Sequence, residues 1–395
     1  MHSAEREASR RAWLDKVALV RETLVTHADA AEREGRLATP VVDALHAAGF
    51  FNLKLPAELG GAEADPVLQL QVYEALSAIH PSAAWCAAIG AANAALTAPY
   101  LADAGAERLY GGGRTPLLAS SVFPAGTATP VVGGYRVSGR WRFASGIHHA
   151  DWVVAGATLT RQGTAGRMPD GTASETIYVV LPADEVHVHE NWDVIGLRGT
   201  GSCDFAVDDR FVPESLAFTR DPLSPQPRRG GPLFRFGAPG IVTQEHVGFA
   251  LGVAHRALDE LITMATSSRG RFRTSTLAER QVVHRFVGVS RLKLDAARAL
   301  AHTRSEEIWQ RLCQGEPVGS AQQALCRALV TYTTDLALEI VTQAFRYGGA
   351  GALFQPNVFE RLLRDTNAAA QHIVATDLNY EIYGREFMSP PPEAI

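Results

Sequence analysis

The spacing of apolar residues changes twice along the chain, and the two changes divide it into three parts. Residues 1–115 follow the helical pattern, in which apolar side chains recur three or four positions apart. This part contains two alanine-rich segments, at 66–79 and 81–98, whose hydrophobicity is typical of helices buried on most sides. The first 115 residues therefore predict an N-terminal α-helical domain.

From Pro116 the pattern becomes that of strands. Short segments rich in Val, Ile, Tyr, Phe and Thr alternate with glycine-containing turns. They predict a middle domain at 116–235, built as an antiparallel β-barrel or sandwich. Its end overlaps a Pro- and Gly-rich segment at 221–240, whose composition is typical of a linker.

Long helical segments return in residues 236–395. About four of them, separated by short connections, predict an antiparallel four-helix bundle. The predicted fold class is therefore α+β and multidomain, with a helical domain, a β domain and a helical bundle in that order.

Composition and charge exclude several classes of function. A formal net charge of -5 gives no reason to expect nucleic acid or an anionic membrane as a partner. No apolar run reaches the roughly 20 residues of a membrane span, and the charged N-terminus lacks a secretory signal. The four cysteines form no CxxC pair, which favours neither disulfides nor a zinc site. These features predict a cytoplasmic protein.

Five short motifs occur in a characteristic order. They are PAELGG (56–61), WRFASG (141–146), GTGSCDFAVDDRFVPE (199–214), YGGAGAL (347–353) and FERLLRD (359–365). With the helix–strand–helix order, they resemble the acyl-CoA dehydrogenase superfamily over nearly the whole chain. The resemblance implies a bound flavin and a homotetramer.

The resemblance also implies which residues contact the flavin. Backbone amides and the Ser145 hydroxyl would bond to the N5 and O4 edge of the flavin ring, while aromatic side chains cover its face. Arg271 matches an arginine that binds a flavin phosphate from a neighbouring subunit. From the residues alone, Trp141 fits core packing equally well, and Ser145 fits a simple turn. The implied cofactor-binding set is Trp141, Phe143, Ala144, Ser145, Gly146, Thr200, Gly201, Ser202, Arg271, Gly348 and Gly349.

The C-terminal helices depart from the dehydrogenases. Those enzymes commonly carry a glutamate eight residues beyond the pair matching Arg364-Asp365, and it takes the substrate α-proton. Here that position is Ile373, which cannot accept a proton, and its neighbour is His372. A histidine here resembles the branch of two-component flavin monooxygenases, which includes 4-hydroxyphenylacetate hydroxylase, dibenzothiophene monooxygenase and nitrososynthases. Because histidine titrates near neutral pH, it can transfer a proton during catalysis.

This branch implies an oxygenase component that uses reduced FMN or FAD and O2. Through a flavin hydroperoxide it would hydroxylate a small aromatic or polyketide-type substrate, as in antibiotic biosynthesis. The absence of GxGxxG after a strand fits an enzyme whose reduced flavin comes from a separate NAD(P)H:flavin reductase. We expect His372 to transfer the proton and Ser145 to contact N5. Asn93 and His148 are expected in the substrate pocket. Many monooxygenases of this branch carry a second histidine where this chain has Ala92 and Asn93, which leaves an amine nitrogen open as the oxygenation target.

Three other functions remain open. They are N-oxygenation of an amine, acyl-CoA dehydrogenation or oxidation with a displaced base, and a non-catalytic binding or scaffold role. His187, His189, Glu190 and Asp193 could ligate a metal, because alternate strand residues face the same way. A polar strand face is the simpler explanation, and no metal site is predicted.

Overall fold

The structure, a computed structural model, describes residues 3–160, 175–267 and 276–388. Its elements follow the predicted order of helices, strands and helices. In the described part of the N-terminal region there are six helices: α1 (Ser3–Thr26), α2 (Ala28–Glu34), α3 (Thr39–Ala47), α4 (Pro66–Ile79), α5 (Pro81–Thr97) and α6 (Asp103–Tyr110).

Local sequence signals explain where α4 and α5 begin. Pro66 and Pro81 occupy the first helical position, where the missing N–H costs nothing. The Asp65 carboxylate caps α4 by accepting from two backbone N–H groups, and His80 Nδ1 accepts from the Ala83 N–H at the start of α5. Helix α5 is almost entirely buried and most of α4 is buried, as their apolar composition predicts.

The middle part is one mixed sheet with strand order β5-β6-β2-β1-β3-β4-β7. Five of its six described pairings are antiparallel, but β1 and β3 run parallel, which differs from the predicted antiparallel arrangement. The parallel pair arises because the chain leaves β2, passes through residues 142–151 and re-enters on the other side of β1. The described strands are β1 (Leu118–Val131), β2 (Gly134–Trp141), β3 (Trp152–Leu159), β4 (Thr176–Pro182), β5 (His187–His189), β6 (Asp204–Pro213) and β7 (Ala217–Phe218).

The predicted linker is well packed. Phe234 and Phe236 are fully buried, and Arg229 donates to the Ala98 and Leu101 carbonyl oxygens. Proline and glycine shape the backbone of this segment, but its aromatic side chains are large enough to join a core.

The C-terminal part has three long helices and two short ones in its described residues. The fourth long helix expected from the sequence is split in two after Ala369, and His372 caps a 3-10 turn at the break through Nδ1. Helix α7 packs against both α4 and α9. The helices are α7 (Gly237–Ser267), α8 (Gln281–Cys313), α9 (Ser320–Gly348), α10 (Val358–Ala369) and α11 (Leu378–Met388). Within the described ranges, none of the helices combines the length and the apolar character that crossing a membrane requires.

Candidate active site

Two loops of the sheet are joined next to Ser145. The Ala144 N–H donates to the Cys203 carbonyl at 3.1 Å, and the Gly146 N–H donates to the Thr200 carbonyl at 2.8 Å. Gly146 has a φ of 74°, in the left-handed region that glycine adopts without strain. Residues 143–146 and 200–202, both predicted to bind flavin, therefore lie in two loops that are hydrogen-bonded to each other.

Side chains link the same two loops through a chain of hydrogen bonds. Trp85 Nε1 lies 3.2 Å from Ser145 Oγ, and Ser145 Oγ lies 2.8 Å from Ser202 Oγ. The chain continues from Ser202 Oγ to Thr200 Oγ1 at 2.7 Å and from there to the Leu197 carbonyl at 2.8 Å.

The two ends of this hydrogen-bond chain fix the direction in which each hydroxyl donates. An indole N–H only donates and a carbonyl only accepts, so Thr200 gives its single hydroxyl proton to Leu197. Thr200 must then accept from Ser202, and Ser202 from Ser145. Ser145 accepts from Trp85 and has one lone pair left. Toward any further group Ser145 is therefore an acceptor.

Three aromatic rings of the C-terminal part surround Trp85. Its ring meets those of His246, Phe249 and His372 edge-on, at centroid distances of 5.4, 5.3 and 5.4 Å. His246 and Phe249 lie on α7, and His372 lies at the break after α10. Trp85 thus joins the Ser145 hydroxyl of the β domain to two imidazoles of the C-terminal helices.

Both imidazoles are neutral near pH 7. Burial lowers the pKa of His246 to about 4. Burial, with a smaller contribution from His246, lowers the pKa of His372 to about 3. A carbonyl can only accept, so the contact of His246 Nδ1 with the Val242 carbonyl at 2.8 Å assigns the proton to Nδ1 and leaves Nε2 an acceptor. His372 has the opposite tautomer, because its Nδ1 accepts from the Val374 N–H and its Nε2 therefore carries the proton.

The FERLLRD motif holds the end of the hydrogen-bond chain. The buried Asp365 carboxylate accepts from the Leu197 N–H at 2.6 Å, and Arg364 donates to the Ile195 carbonyl at 2.7 Å. Burial raises the pKa of Asp365 to about 7. Leu197 has a φ of 52°, an unusual value for a residue with a side chain, so these contacts hold the loop in a strained conformation.

Three predicted site residues lie elsewhere. Trp141 is fully buried in the sheet, stacked on Phe205 at 5.1 Å, and its side chain has no exposed surface to offer a cofactor. Asn93 donates to the Leu118 carbonyl and accepts from Ser120, so both ends of its amide are used in joining α5 to β1. His148 lies three residues after Ser145, and its ring contacts the Cys203 sulfur.

The remaining predicted cofactor-binding residues are Gly348, Gly349, Phe143 and Arg271. Gly348 ends α9 and Gly349, with a φ of 64°, follows it; their surroundings belong to the C-terminal part. Phe143 is 59% exposed and has a φ of 64°, so its ring is presented outward beside Trp192. Arg271 lies outside the described residues.

Comparisons with known proteins agree with this architecture. The family model for the acyl-CoA dehydrogenase N-terminal domain matches residues 7–109, and the model for the C-terminal domain matches residues 245–377. Together the two matches span more than half of the chain. The chain belongs to the acyl-CoA dehydrogenase family.

Similar members of this family are named as monooxygenases. Indole-3-acetate monooxygenase of Pseudomonas putida is 29% identical over 91% of this chain and 90% of its own length. The oxygenase component of the FADH2-dependent resorcinol hydroxylase of a Rhizobium species is 26% identical over 93% of this chain and 91% of its own. The crystal structure of 3-HSA hydroxylase from Rhodococcus sp. RHA1 is 25% identical, covers 96% of this chain and 97% of its own, and superposes with a TM-score of 0.86.

Three site residues of this acyl-CoA dehydrogenase family member were missed by sequence reasoning. Trp85 lies inside a segment that the sequence identified only as a buried, alanine-rich helix, and His246 and Phe249 lie inside one that it identified only as a long helix. The signal was available for Trp85, since a single tryptophan in an alanine-rich helix reaches past its small neighbours. A histidine in an otherwise apolar helix face was the corresponding signal for His246.

Proposed function

We propose that this chain is the oxygenase component of a two-component flavin-dependent monooxygenase. It takes reduced flavin from a separate NAD(P)H:flavin reductase and uses O2 to hydroxylate a small aromatic or polyketide-type substrate. The observation that carries the proposal is the convergence of Ser145, Trp85 and His372 from three parts of the fold. The names of the relatives, among them an FADH2-dependent oxygenase component, support the same reaction.

The residues around Ser145 fit a reduced flavin. Reduced flavin carries a proton on N5 and oxidised flavin does not, and the fixed hydrogen-bond chain leaves Ser145 as an acceptor. The exposed Phe143 ring and the backbone of residues 143–146 and 200–202 would hold the flavin ring. When bound, the reduced flavin supplies the electrons that activate O2.

The imidazole pair is suited to hold the substrate and its proton. Since His372 is neutral, its Nε2–H would donate a hydrogen bond to the oxygen being transferred. His246 Nε2 is buried and has no hydrogen-bond partner among the described residues, and it is an acceptor, so it would receive a substrate O–H or N–H. An aromatic hydroxyl or an indole N–H would satisfy this atom.

Buried apolar side chains around Ser145 would exclude water from the site. Trp85 and Phe249 are buried, and α5 is lined with alanine side chains. Exclusion of water suppresses the release of H2O2, the side reaction of any enzyme that activates O2.

The proposal is tested by supplying reduced FMN or FAD from an unrelated flavin reductase with NADH under 18O2. A panel of indoles, phenols and one primary amine serves as substrates. We expect one 18O atom in a hydroxylated product, and less product with more H2O2 for Ser145→Ala. Ser138→Ala, on the same sheet, is the matched control. Oxygen consumption equal to that of free flavin, with no labelled product from any substrate, would refute the proposal.

An acyl-CoA dehydrogenase activity is the enzyme alternative. The position of the usual glutamate is Ile373, which is 76% exposed. We expect no reduction of an electron acceptor when acyl-CoA thioesters of several chain lengths are added. Turnover of a thioester would favour a displaced base.

We propose also that the protein assembles as a homotetramer through α8. Val282, Val289, Leu292 and Leu300 leave exposed apolar surface along this helix. Light scattering during size-exclusion chromatography should give the mass of four chains, and Leu292→Glu should lower it.

A further inference from the structure

Three potential metal ligands converge beside the Ser145 loop. His148 Nε2 lies 3.5 Å from Cys203 Sγ and 3.6 Å from Glu190 Oε2, and the sulfur lies 4.0 Å from the same carboxylate oxygen. Within the described residues these are the three side chains whose ligand atoms come together in this way. They come from the loop after β2, the end of β5 and the start of β6.

These separations match the coordination of zinc. A tetrahedral zinc ion with bonds of about 2.0–2.3 Å keeps its N, O and S ligand atoms roughly 3.3–3.6 Å apart. Two of the three observed separations, 3.5 and 3.6 Å, lie within or at the end of that range, and the third, 4.0 Å, lies a few tenths of an ångström beyond it. A cation could therefore bind with little movement of the protein.

The surroundings hold the ligands in place. The Cys203 thiol is buried, and its carbonyl already accepts from the Ala144 N–H. The His148 ring lies against Gly201, where a Cβ would come within 2.7 Å of its Cδ2. Glu190 is largely exposed and closes the cluster from the solvent side, which gives a cation a route of entry.

We propose that His148, Glu190 and Cys203 form a binding site for Zn²⁺ or another thiophilic divalent cation. The cation takes one nitrogen, one oxygen and one sulfur ligand, and water fills the fourth position. The thiol loses its proton to solvent on binding, since the thiolate is the ligand. Hard cations such as Mg²⁺ are excluded, because they prefer oxygen ligands only.

Binding there affects the active site through its neighbours in the chain. Cys203 follows Ser202, and His148 lies three residues after Ser145, so a cation bridging them fixes the ends of both loops. We expect Zn²⁺ to raise the melting temperature and to reduce the exchange of the Ala144 and Gly146 amide protons. Neither readout requires flavin, so the outcome is independent of the proposed monooxygenase function.

Co²⁺ provides the direct test, because a cobalt–thiolate bond gives a near-ultraviolet charge-transfer band. The purified full-length chain is titrated with Co²⁺ in the absence of flavin. We expect the band to saturate at one Co²⁺ per chain and to disappear when Zn²⁺, but not Mg²⁺, is added. Absence of the band would overturn the proposal.

Variants separate this site from binding by a single thiol. Cys203→Ser should abolish the band, and Cys313→Ser, which removes an exposed cysteine elsewhere, should leave it unchanged. Glu190→Gln changes an exposed side chain, so the fold is retained, and it should weaken Co²⁺ binding by roughly tenfold or more. A band that survives Cys203→Ser, or that is insensitive to both Glu190→Gln and His148→Asn, would contradict a three-ligand site.

Discussion

His246 and His372 lie with their ring centroids 4.8 Å apart, and each meets the edge of Trp85. Their tautomers are opposite, so one presents an acceptor nitrogen and the other a donor N–H. Burial keeps both uncharged at neutral pH. The pair therefore offers two complementary hydrogen-bonding groups beside the buried aromatic rings of Trp85 and Phe249.

Replacing His372 by asparagine should separate oxygen transfer from flavin binding. The asparagine side chain retains an acceptor for the Val374 N–H but lacks the Nε2–H donor. We expect product formation to fall by about 10²–10⁴-fold, as for the loss of a positioned proton donor, with little change in flavin affinity. The measurement is labelled product formed per NADH consumed. His255→Asn, a change on the outer face of α7, is the control, and unchanged coupling in His372→Asn would exclude the proposed role.

Thr200→Val tests the direction of the hydrogen-bond chain. Valine keeps the shape of threonine but removes the hydroxyl that receives the Ser202 proton. Ser202 can then donate to Ser145, which becomes a donor toward the flavin. We expect the preference for reduced over oxidised flavin to fall by about tenfold, the value of one hydrogen bond. Anaerobic titrations of both redox states measure this ratio; Thr200→Ser should preserve it, and an unchanged ratio in Thr200→Val would contradict the assigned direction.

Stability should decrease in acid because of buried histidines. The folded pKa of His246 is about 4, below the 6.5 of the unfolded chain, so between these values the unfolded chain binds the proton and the folded chain does not. His80, His149 and His372 act in the same direction. Asp365 acts in the opposite direction. Its folded pKa is raised to about 7, so the stability that its protonated form contributes is lost as pH rises through that value.

The size of this effect is measurable for one residue. The unfolding free energy should fall between about pH 7.5 and about pH 5.5. This fall should be about 1.4 kcal/mol smaller in His246→Gln than in the unmodified protein. Urea denaturation at the two pH values gives the difference. His284→Gln, at an exposed position, is the control, and equal losses in all three proteins would show that the His246 ring is accessible to protons when folded.

The order of elements and the loop that carries Ser145 could be predicted from the sequence because the signals are local. Apolar spacing and the prolines at the starts of α4 and α5 predict the ends of these two helices to within one residue. The short strands follow from their β-branched and aromatic composition. The parallel pairing of β1 and β3 was missed, since local pattern does not record which edge of β1 the chain returns to.

Contacts between distant segments could not be predicted from the local sequence pattern. Trp85 and Ser145 are 60 positions apart, and His246 and His372 are 126 apart, so no periodicity connects them. For the same reason the partners of Glu190 were not predicted, since strand alternation grouped this residue with His187 and His189. The structure instead brings its carboxylate to His148 and Cys203. The partnership of these residues is decided by how the three parts pack together.

The buried ion pair of Lys54 and Glu245, which adjoins His246 in the chain, provides a last test. Both side chains are almost fully buried and in contact, and Lys54 also donates to the Ile241 carbonyl at 2.7 Å. Burial lowers the pKa of Lys54 and raises that of Glu245, so each charge depends on the other. Lys54→Met should cost about 3–5 kcal/mol of unfolding free energy, because it removes the partner that offsets the desolvation of the buried Glu245 carboxyl. The double variant Lys54→Met/Glu245→Leu should recover most of this loss in urea denaturation, since no buried charge remains. Additive losses in the double variant would show instead that the two side chains stabilise the fold separately.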